Sequence, residues 1–414
     1  MKITTGLGTT YIYNKWTNKI LEESNVEEDT DNRIVQFNPV NKITCLSNVD
    51  TFVVEITQRC NFRCSYCCYS GKYRNNRIHS NFSMNEMTID ACISFIVEKS
   101  LAEIVNVAFY GGEALLEFGR VKLFVDRAHT SQKKFHFLLS TNGYYLTENI
   151  VDWLVKNDFD INLSLDGGLK YHNLNRIQIT GGDSFDVVYT NVCYIKNNYV
   201  TFFDKNVHFL MTVANLEDLI PIAEEWNSFT ALRDKAPSHV SSVAPNYAVG
   251  VKIADEFQAK RIFYKILNYY EEHKYLLVLY TFLFERISDL LERPIFDLIE
   301  FNRISTCLPT NKKLFVDANG KIGVCEKMSD IYRVGDVFNG FDWGKINEQV
   351  CKLVKRKLRY CSSCPFIRLC DVCLTSNDLS EKEFDIFCHN QKCYITTLLT
   401  IFCEMAERGL IDES

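Results

Sequence analysis

Cys60, Cys64 and Cys67 form a CxxxCxxC run with an aromatic, Tyr66, directly before the third cysteine. The loop NFRCSYC is tight enough to wrap three sulfurs round one corner of an iron–sulfur cube. A [4Fe–4S] cube normally takes four thiolates from its protein. Three close ligands with no obvious fourth leave one iron open, able to hold a small molecule and pass it one electron. Zinc is the competing reading, but its motifs use paired CxxC or CxxC…H spacing and four closed ligands. Cys68 follows directly and reads as structural, pointing away from the metal.

A second constellation is C-terminal. Cys307 is followed by Gly320 and Cys325, then by Cys361, Cys364, Cys370, Cys373, Cys388 and Cys393. The CxxC pairs here also suit a zinc ribbon. Cys45, Cys92, Cys193 and Cys403 sit in apolar or helical contexts and read as core. Lys352 to Arg359 places five basic residues before Cys361. A solvated helix face explains the run; a contact for an acidic peptide is the alternative.

The chain has 414 residues, 47% hydrophobic and 24% charged, with a net charge of −6. That is an ordinary globular composition, with nothing to draw in nucleic acid or a membrane. The N-terminus lacks the apolar core of a signal peptide. Without export, 17 cysteines read as metal or redox ligands rather than a disulfide framework, and a reducing cytoplasm is the expected location.

Elements that must position these residues follow from periodicity. Short β-branched or aromatic runs at Phe52–Ile56, Ile104–Tyr110, Phe135–Ser140, Ile161–Leu165 and Val207–Val213 predict strands. Between them, Ser83-x-x-Glu86 has the form of a capping box opening a helix from Met87 to Ser100. Thr147–Lys156 and Ser184–Asn198 predict further helices. Strand–helix alternation predicts a parallel α/β sheet or barrel. Polar signatures follow the strands: Gln58 to Cys67, Gly111-Gly112-Glu113, Thr141-Asn142-Gly143 and Asp166-Gly167. Strand C-terminal ends carry the active sites of barrels, so all four should meet at one mouth. Glu256 to Glu292 reads as two long helices whose aromatics (Phe257, Phe263, Tyr264, Phe282, Phe284) pack a core. Beyond Cys307 short hairpins are expected, with little helical period until Lys352.

The CxxxCx(aromatic)C loop after a first strand, followed by GGE, TNG and SxDG, resembles the radical S-adenosylmethionine (SAM) superfamily over Thr51 to Val213. The C-terminal cysteines resemble the SPASM extension of that family, although two residues rather than three precede Cys373. The resemblance implies a partial (β/α)6 TIM-type barrel plus a small cysteine-rich SPASM domain. The implied division is 1–50 appendage, 51–250 barrel, 251–305 helical linker, 306–393 SPASM domain and 394–414 C-terminal helix. The first 50 residues are too few for a winged-helix leader-binding module.

By the same resemblance, Cys60, Cys64 and Cys67 hold a cluster whose open iron chelates the methionine part of SAM. Reductive cleavage then yields a 5′-deoxyadenosyl radical. Gly111, Gly112 and Glu113 match the motif that meets the methionine ammonium, with Ala114 where many members have proline. Asn142, Ser164 and Asp166 match polar contacts to SAM, and Arg176 resembles an arginine that pairs with its carboxylate. An ordinary turn and a surface ion pair are the plain alternatives for GG and Arg176. Two auxiliary [4Fe–4S] clusters are implied: one on Cys361, Cys364, Cys370 and Cys388, preferred to Cys393 because it should end a polar loop, and one on Cys307, Cys325 and Cys373. The latter lacks a cysteine that relatives have after the first ligand, leaving an iron open to a substrate thiolate unless Cys351 fills it. The implied activity is a maturase of ribosomally made peptides (RiPPs), forming a thioether or carbon–carbon crosslink or a related modification. It would take a precursor peptide or protein as substrate and an electron from flavodoxin or ferredoxin. Anaerobic sulfatase maturation, converting Cys or Ser to formylglycine, is the alternative. Glu326 then stands where those enzymes have a catalytic aspartate. A non-enzymatic iron–sulfur scaffold or electron carrier would need none of Glu113, Asn142 and Arg176.

Overall fold

The computed structural model describes residues 1–25, 36–37, 42–47, 49–243, 255–296, 300–301, 307 and 310–412. At the N-terminus, β1 (Lys2–Thr4), β2 (Thr10–Tyr13) and β3 (Ile20–Glu22) form an antiparallel sheet. The turn after β1 is fastened to the C-terminal helix: Gly6 N donates to Glu404 Oε2 at 2.7 Å and Thr5 Oγ1 to Glu407 at 3.1 Å. A two-residue parallel pair joins β4 (Gln36–Phe37) to β11 (Glu300–Phe301). Residues 26–31 of the predicted appendage, and 251–254, 297–299 and 302–305 of the predicted linker, lie outside the described residues.

The central sheet contains β5 (Val49–Glu55), β6 (Ile104–Tyr110), β7 (Lys134–Thr141), β8 (Asp160–Ser164), β9 (Val207–Val213) and β10 (His239–Ser242), all parallel and in sequence order. Period-two alternation decides which face each residue takes. In β6, Val105, Val107 and Phe109 are fully buried, while Asn106, Ala108 and Tyr110 remain half-exposed on the other face. Phe109 meets Phe124 of the Phe118–His129 helix edge-on at 5.3 Å and stacks on Phe137 of β7 at 6.0 Å. Each such ring stabilises the layer by roughly 2–3 kcal/mol.

Several expectations are corrected. The helix before β6 runs Glu86–Lys99 with Asn85 as its cap, accepting from Thr88 N at 2.9 Å; Ser83 instead bonds Thr57 and Glu117. A sixth strand, β10, was not among those read from sequence, since HVSS offers one apolar residue. Its outer edge is satisfied by the Leu277–Leu291 helix: Val240 N donates to Glu285 Oε2 at 3.1 Å and Arg286 Nη2 donates to Val240 O at 2.9 Å. Phe257 of the preceding Glu256–Glu272 helix is exposed, whereas Phe263 and Phe282 are buried.

The cysteine-rich region is built into the same sheet. β12 (Lys312–Val316) pairs parallel to β5, and β13 (Lys321–Gly323), β14 (Gly335–Asp336) and β15 (Gly340–Phe341) extend the sheet antiparallel. Helical structure begins at Trp343, earlier than expected, and runs to Cys361. The final helix is Glu381–Glu407, opened by a capping box at Ser380 and Glu383. Cys388 therefore lies within a helix, not at the end of a loop. Cys92 and Cys403 are buried and Cys193 half-buried, but Cys45 is exposed.

Candidate active site

The Cys60–Cys67 loop leaves the C-terminal end of β5 and is stitched to the loop after β6. Gly112 N donates to Thr57 O at 3.0 Å and Glu113 N to Arg59 O at 2.7 Å. The approach admits only glycine: a Cβ on Gly112 would stand 1.9 Å from Arg59 O. On the other side, Arg63 N donates to Ile177 O at 2.7 Å and Ser65 N to Asn175 O at 2.9 Å. None of the three cysteines is in a disulfide. Burial, then Glu113, pushes the Cys60 thiol up to about 12, and burial pushes Cys64 up to about 11. Cys67 is held down at about 4, first by a hydrogen bond from Cys68 and then by His79. The Cys68 thiol thus turns toward Cys67, contrary to the sequence expectation.

Glu113 is buried under its neighbours' donors. Its Oε1 accepts from Thr141 Oγ1 at 2.8 Å and Leu115 N at 3.2 Å, and its Oε2 from Asn142 N at 2.8 Å. Burial outweighs these donors and raises the carboxyl. Asn142 Nδ2 donates to Asn61 Oδ1 at 2.8 Å, tying the third strand end to the cysteine loop, while Asn61 Nδ2 is buried without a partner. Ser164 ends β8 half-buried.

Asp166 and Arg176 form a buried bidentate pair, with Nε to Oδ2 at 2.9 Å and Nη2 to Oδ1 at 3.2 Å. Arg176 is therefore not a surface ion pair, and its fork is turned to Asp166. Tyr66 donates its hydroxyl to Asp166 Oδ2, and Thr212 N donates to Oδ1 at 2.9 Å. Behind them, His172 Nε2 meets Ser184 Oγ at 3.1 Å, and Ser184 Oγ donates to Arg176 O at 2.8 Å. His172, Ser184 and Thr212 carry no motif. Only the four-residue step from His172 to Arg176 marks one of them.

In the cysteine-rich region, Cys361, Cys364, Cys370 and Cys388 come together. Burial, followed by Cys361, Cys364 and Cys388, pushes Cys370 up to about 12; burial and Cys361 do the same to Cys388. Cys393 instead hydrogen-bonds His389 at 3.4 Å. Cys373 packs with Cys325 and Cys388 on a small apolar cluster containing Val324, Val372 and Phe384. Cys307 and Cys325 both act on the Lys313 ammonium. Cys351 is exposed on its helix. Burial works against the Glu326 carboxylate, but Lys313 Nζ at 3.2 Å holds it below the ordinary carboxylate range. Within the basic run, Lys357 is buried and Arg356 is spent on the carbonyls of Ser376 and Leu379.

Residues 54–225 match the model of the Radical SAM superfamily. The chain carries a radical SAM domain. A cysteine-type anaerobic sulfatase-maturating enzyme of Clostridium perfringens is 24% identical over 356 residues, covering 80% of this chain and 91% of that protein. The radical SAM cyclopropyl synthase TigE of Paramaledivibacter caminithermalis is 26% identical over 39% of this chain and 36% of its own length. In fold, the chain is similar to native anSMEcpe with bound AdoMet and Cp18Cys peptide (TM-score 0.64, 17% identity, covering 87% and 98%). It is also similar to Streptococcus suis SuiB bound to precursor peptide SuiA (TM-score 0.51, 14% identity, covering 82% and 75%).

The residues of the radical SAM domain suit its cofactors. Three thiols in one loop are an iron–sulfur donor set. A buried carboxyl lifted by desolvation, Glu113, is relieved by a cation such as the methionine ammonium. The orphaned Asn61 Nδ2 offers a donor beside a cavity of about 420 Å³ lined by Cys60, Asn61 and His79. Among the described residues no group of three His, Cys, Asp or Glu side chains is placed to hold a single metal ion, and no helix is long and apolar enough to cross a membrane.

Proposed function

We propose that this protein is a radical SAM maturase that modifies a residue within a peptide or protein, forming a thioether or carbon–carbon crosslink or a related product. Cys60, Cys64 and Cys67 would hold the cluster, which together with SAM would supply radical abstraction of hydrogen from a peptide carbon. Gly112 lets the cysteine loop lie against Glu113, and Glu113 with Asn142 binds the cationic end of the cosubstrate. Asp166 fixes Arg176 and Tyr66 under Cys64. Cys361, Cys364, Cys370 and Cys388, and Cys307, Cys325 and Cys373, would hold auxiliary clusters, which would supply a sink for the surplus electron or a site for a substrate thiol. The cell supplies the electron through flavodoxin or ferredoxin in the cytoplasm.

The observation that carries this reading is the joining of the Cys60 loop to the Gly111–Glu113 loop by the Thr57 and Arg59 carbonyls. Sulfatase maturation is the second reading, favoured by the alignment over 91% of the Clostridium enzyme. Glu326 follows Cys325, where the base of a sulfatase maturase would stand, and Lys313 pairs with it. The test is anaerobic reconstitution with SAM, dithionite and cysteine-containing peptides. Formation of 5′-deoxyadenosine with a peptide that keeps its sulfur and loses hydrogen supports crosslinking. Exchange of sulfur for oxygen supports formylglycine. Absence of 5′-deoxyadenosine refutes both.

A further inference from the structure

We propose that His79 is a positioning residue for the cluster loop: its Nε2–H donates a hydrogen bond to the Cys67 sulfur and sets the reduction potential of the cluster bound there. The inference rests on the radical SAM reading above and extends it to a residue outside every motif. His79 lies in the irregular stretch between Cys67 and the Glu86–Lys99 helix. The fold returns it to the cysteine loop. His79 N donates to Tyr69 O at 3.1 Å, and the imidazole meets the Tyr69 ring edge-on at 5.8 Å. These contacts bring Nε2 to 3.4 Å from Cys67 Sγ.

The direction of that bond follows from the ligand. An iron-bound thiolate has lone pairs and no proton, so the ring nitrogen must donate. The other nitrogen, Nδ1, stands 3.5 Å from Gln58 O. That is the outer limit of a hydrogen bond, and a neutral carbonyl at this range cannot compete with a thiolate for the imidazole proton. The two outer cysteines then differ. Cys60 Sγ accepts from one backbone donor, Phe62 N at 3.4 Å; Cys67 Sγ accepts from Tyr69 N at 3.4 Å, from the adjacent Cys68 and from His79 as well. Hydrogen bonds to ligating sulfur withdraw charge from the cluster, favour its reduced form and raise its potential. Reduction by a weak cellular donor is then easier, and loss of the donor must make it harder.

The full chain, reconstituted anaerobically, gives the test. The cluster is identified as the one whose EPR signal changes on adding SAM, and its midpoint is measured by redox titration in wild type, His79→Phe and His79→Gln. His79→Phe should move the midpoint to more negative potential. His79→Gln, whose amide N–H can reach the sulfur, should recover most of the shift. An unchanged midpoint in His79→Phe at wild-type iron content overturns the proposal. Should His79→Phe take up no iron, the wild type decides: with ¹⁵N-labelled histidine, ENDOR must show one histidine nitrogen coupled to the reduced cluster, and its absence overturns the proposal. A wild type that forms no cluster refutes the radical SAM reading instead.

Discussion

Gly112→Ala is the sharpest perturbation of the loop junction. The added Cβ would lie 1.9 Å from Arg59 O, 2.5 Å from Arg59 C and 2.9 Å from Gln58 C, all backbone atoms that no rotamer change can move. Relief requires the Cys60 loop to retreat by about 1 Å, and a misplacement of that size in a catalytic constellation costs on the order of 100-fold in rate. The retreat also strains two hydrogen bonds, Gly112 N to Thr57 O and Glu113 N to Arg59 O. Losing them costs about 1 kcal/mol each, and overpacking adds roughly 1–3 kcal/mol. The assay is 5′-deoxyadenosine formation and iron content after reconstitution, beside denaturant unfolding. Gly119→Ala is the control. Gly119 sits in the Phe118–His129 helix with nothing within 4 Å of a new Cβ, so alanine there should raise stability by about 0.5–1 kcal/mol and leave turnover unchanged. A Gly112→Ala protein with wild-type iron, stability and 5′-deoxyadenosine would refute the stitched-loop argument.

Further outcomes follow from the same geometry. Asp166→Asn leaves the buried Arg176 without its carboxylate and should cost about 3–5 kcal/mol by denaturant unfolding; a loss below about 1 kcal/mol would mean that the pair is not structural. Cys388→Ala should lower bound iron by about one cluster's share, whereas Cys393→Ala, at a buried thiol bonded to His389, should keep the wild-type iron content. Burial, then Arg176, pushes His172 down to about 3 from an ordinary 6.5. The unfolded chain takes up that proton below about pH 6.5 while the native one does not. This stability is therefore complete above pH 6.5 and falls by about 1.4 kcal/mol per unit of acidification until about pH 3. In His172→Asn the pH slope of unfolding free energy should be shallower by that amount, and an unaltered slope would show that His172 is not held neutral.

The barrel strands were legible because their period-two apolar pattern is strong: Ile104–Tyr110 and Val207–Val213 run as read. β10 escaped because four residues with a single buried side chain, Val240, carry no periodicity. The joining of β12 to β5 was hidden for another reason, since a pairing across some 260 residues leaves no local trace. The candidate ligand loop Cys60/Cys64/Cys67 stood out by its spacing. Its supporting shell did not: His79, His172 and Ser184 act through contacts that only tertiary structure creates. Cys388 and Cys393 show the limit within one element. Both lie on one helix, and five residues of separation turn one toward Cys361 and Cys370 and the other toward His389.

The most direct test of the central claim is ENDOR on the anaerobically reconstituted, one-electron-reduced protein with SAM labelled with ¹⁵N at its amino group and ¹⁷O at its carboxylate. The account predicts that both labels couple to a cluster that disappears in Cys60→Ala, Cys64→Ala and Cys67→Ala but persists in Cys68→Ala. Zinc in that loop, or a fully ligated cluster showing no coupling to either label, would contradict it.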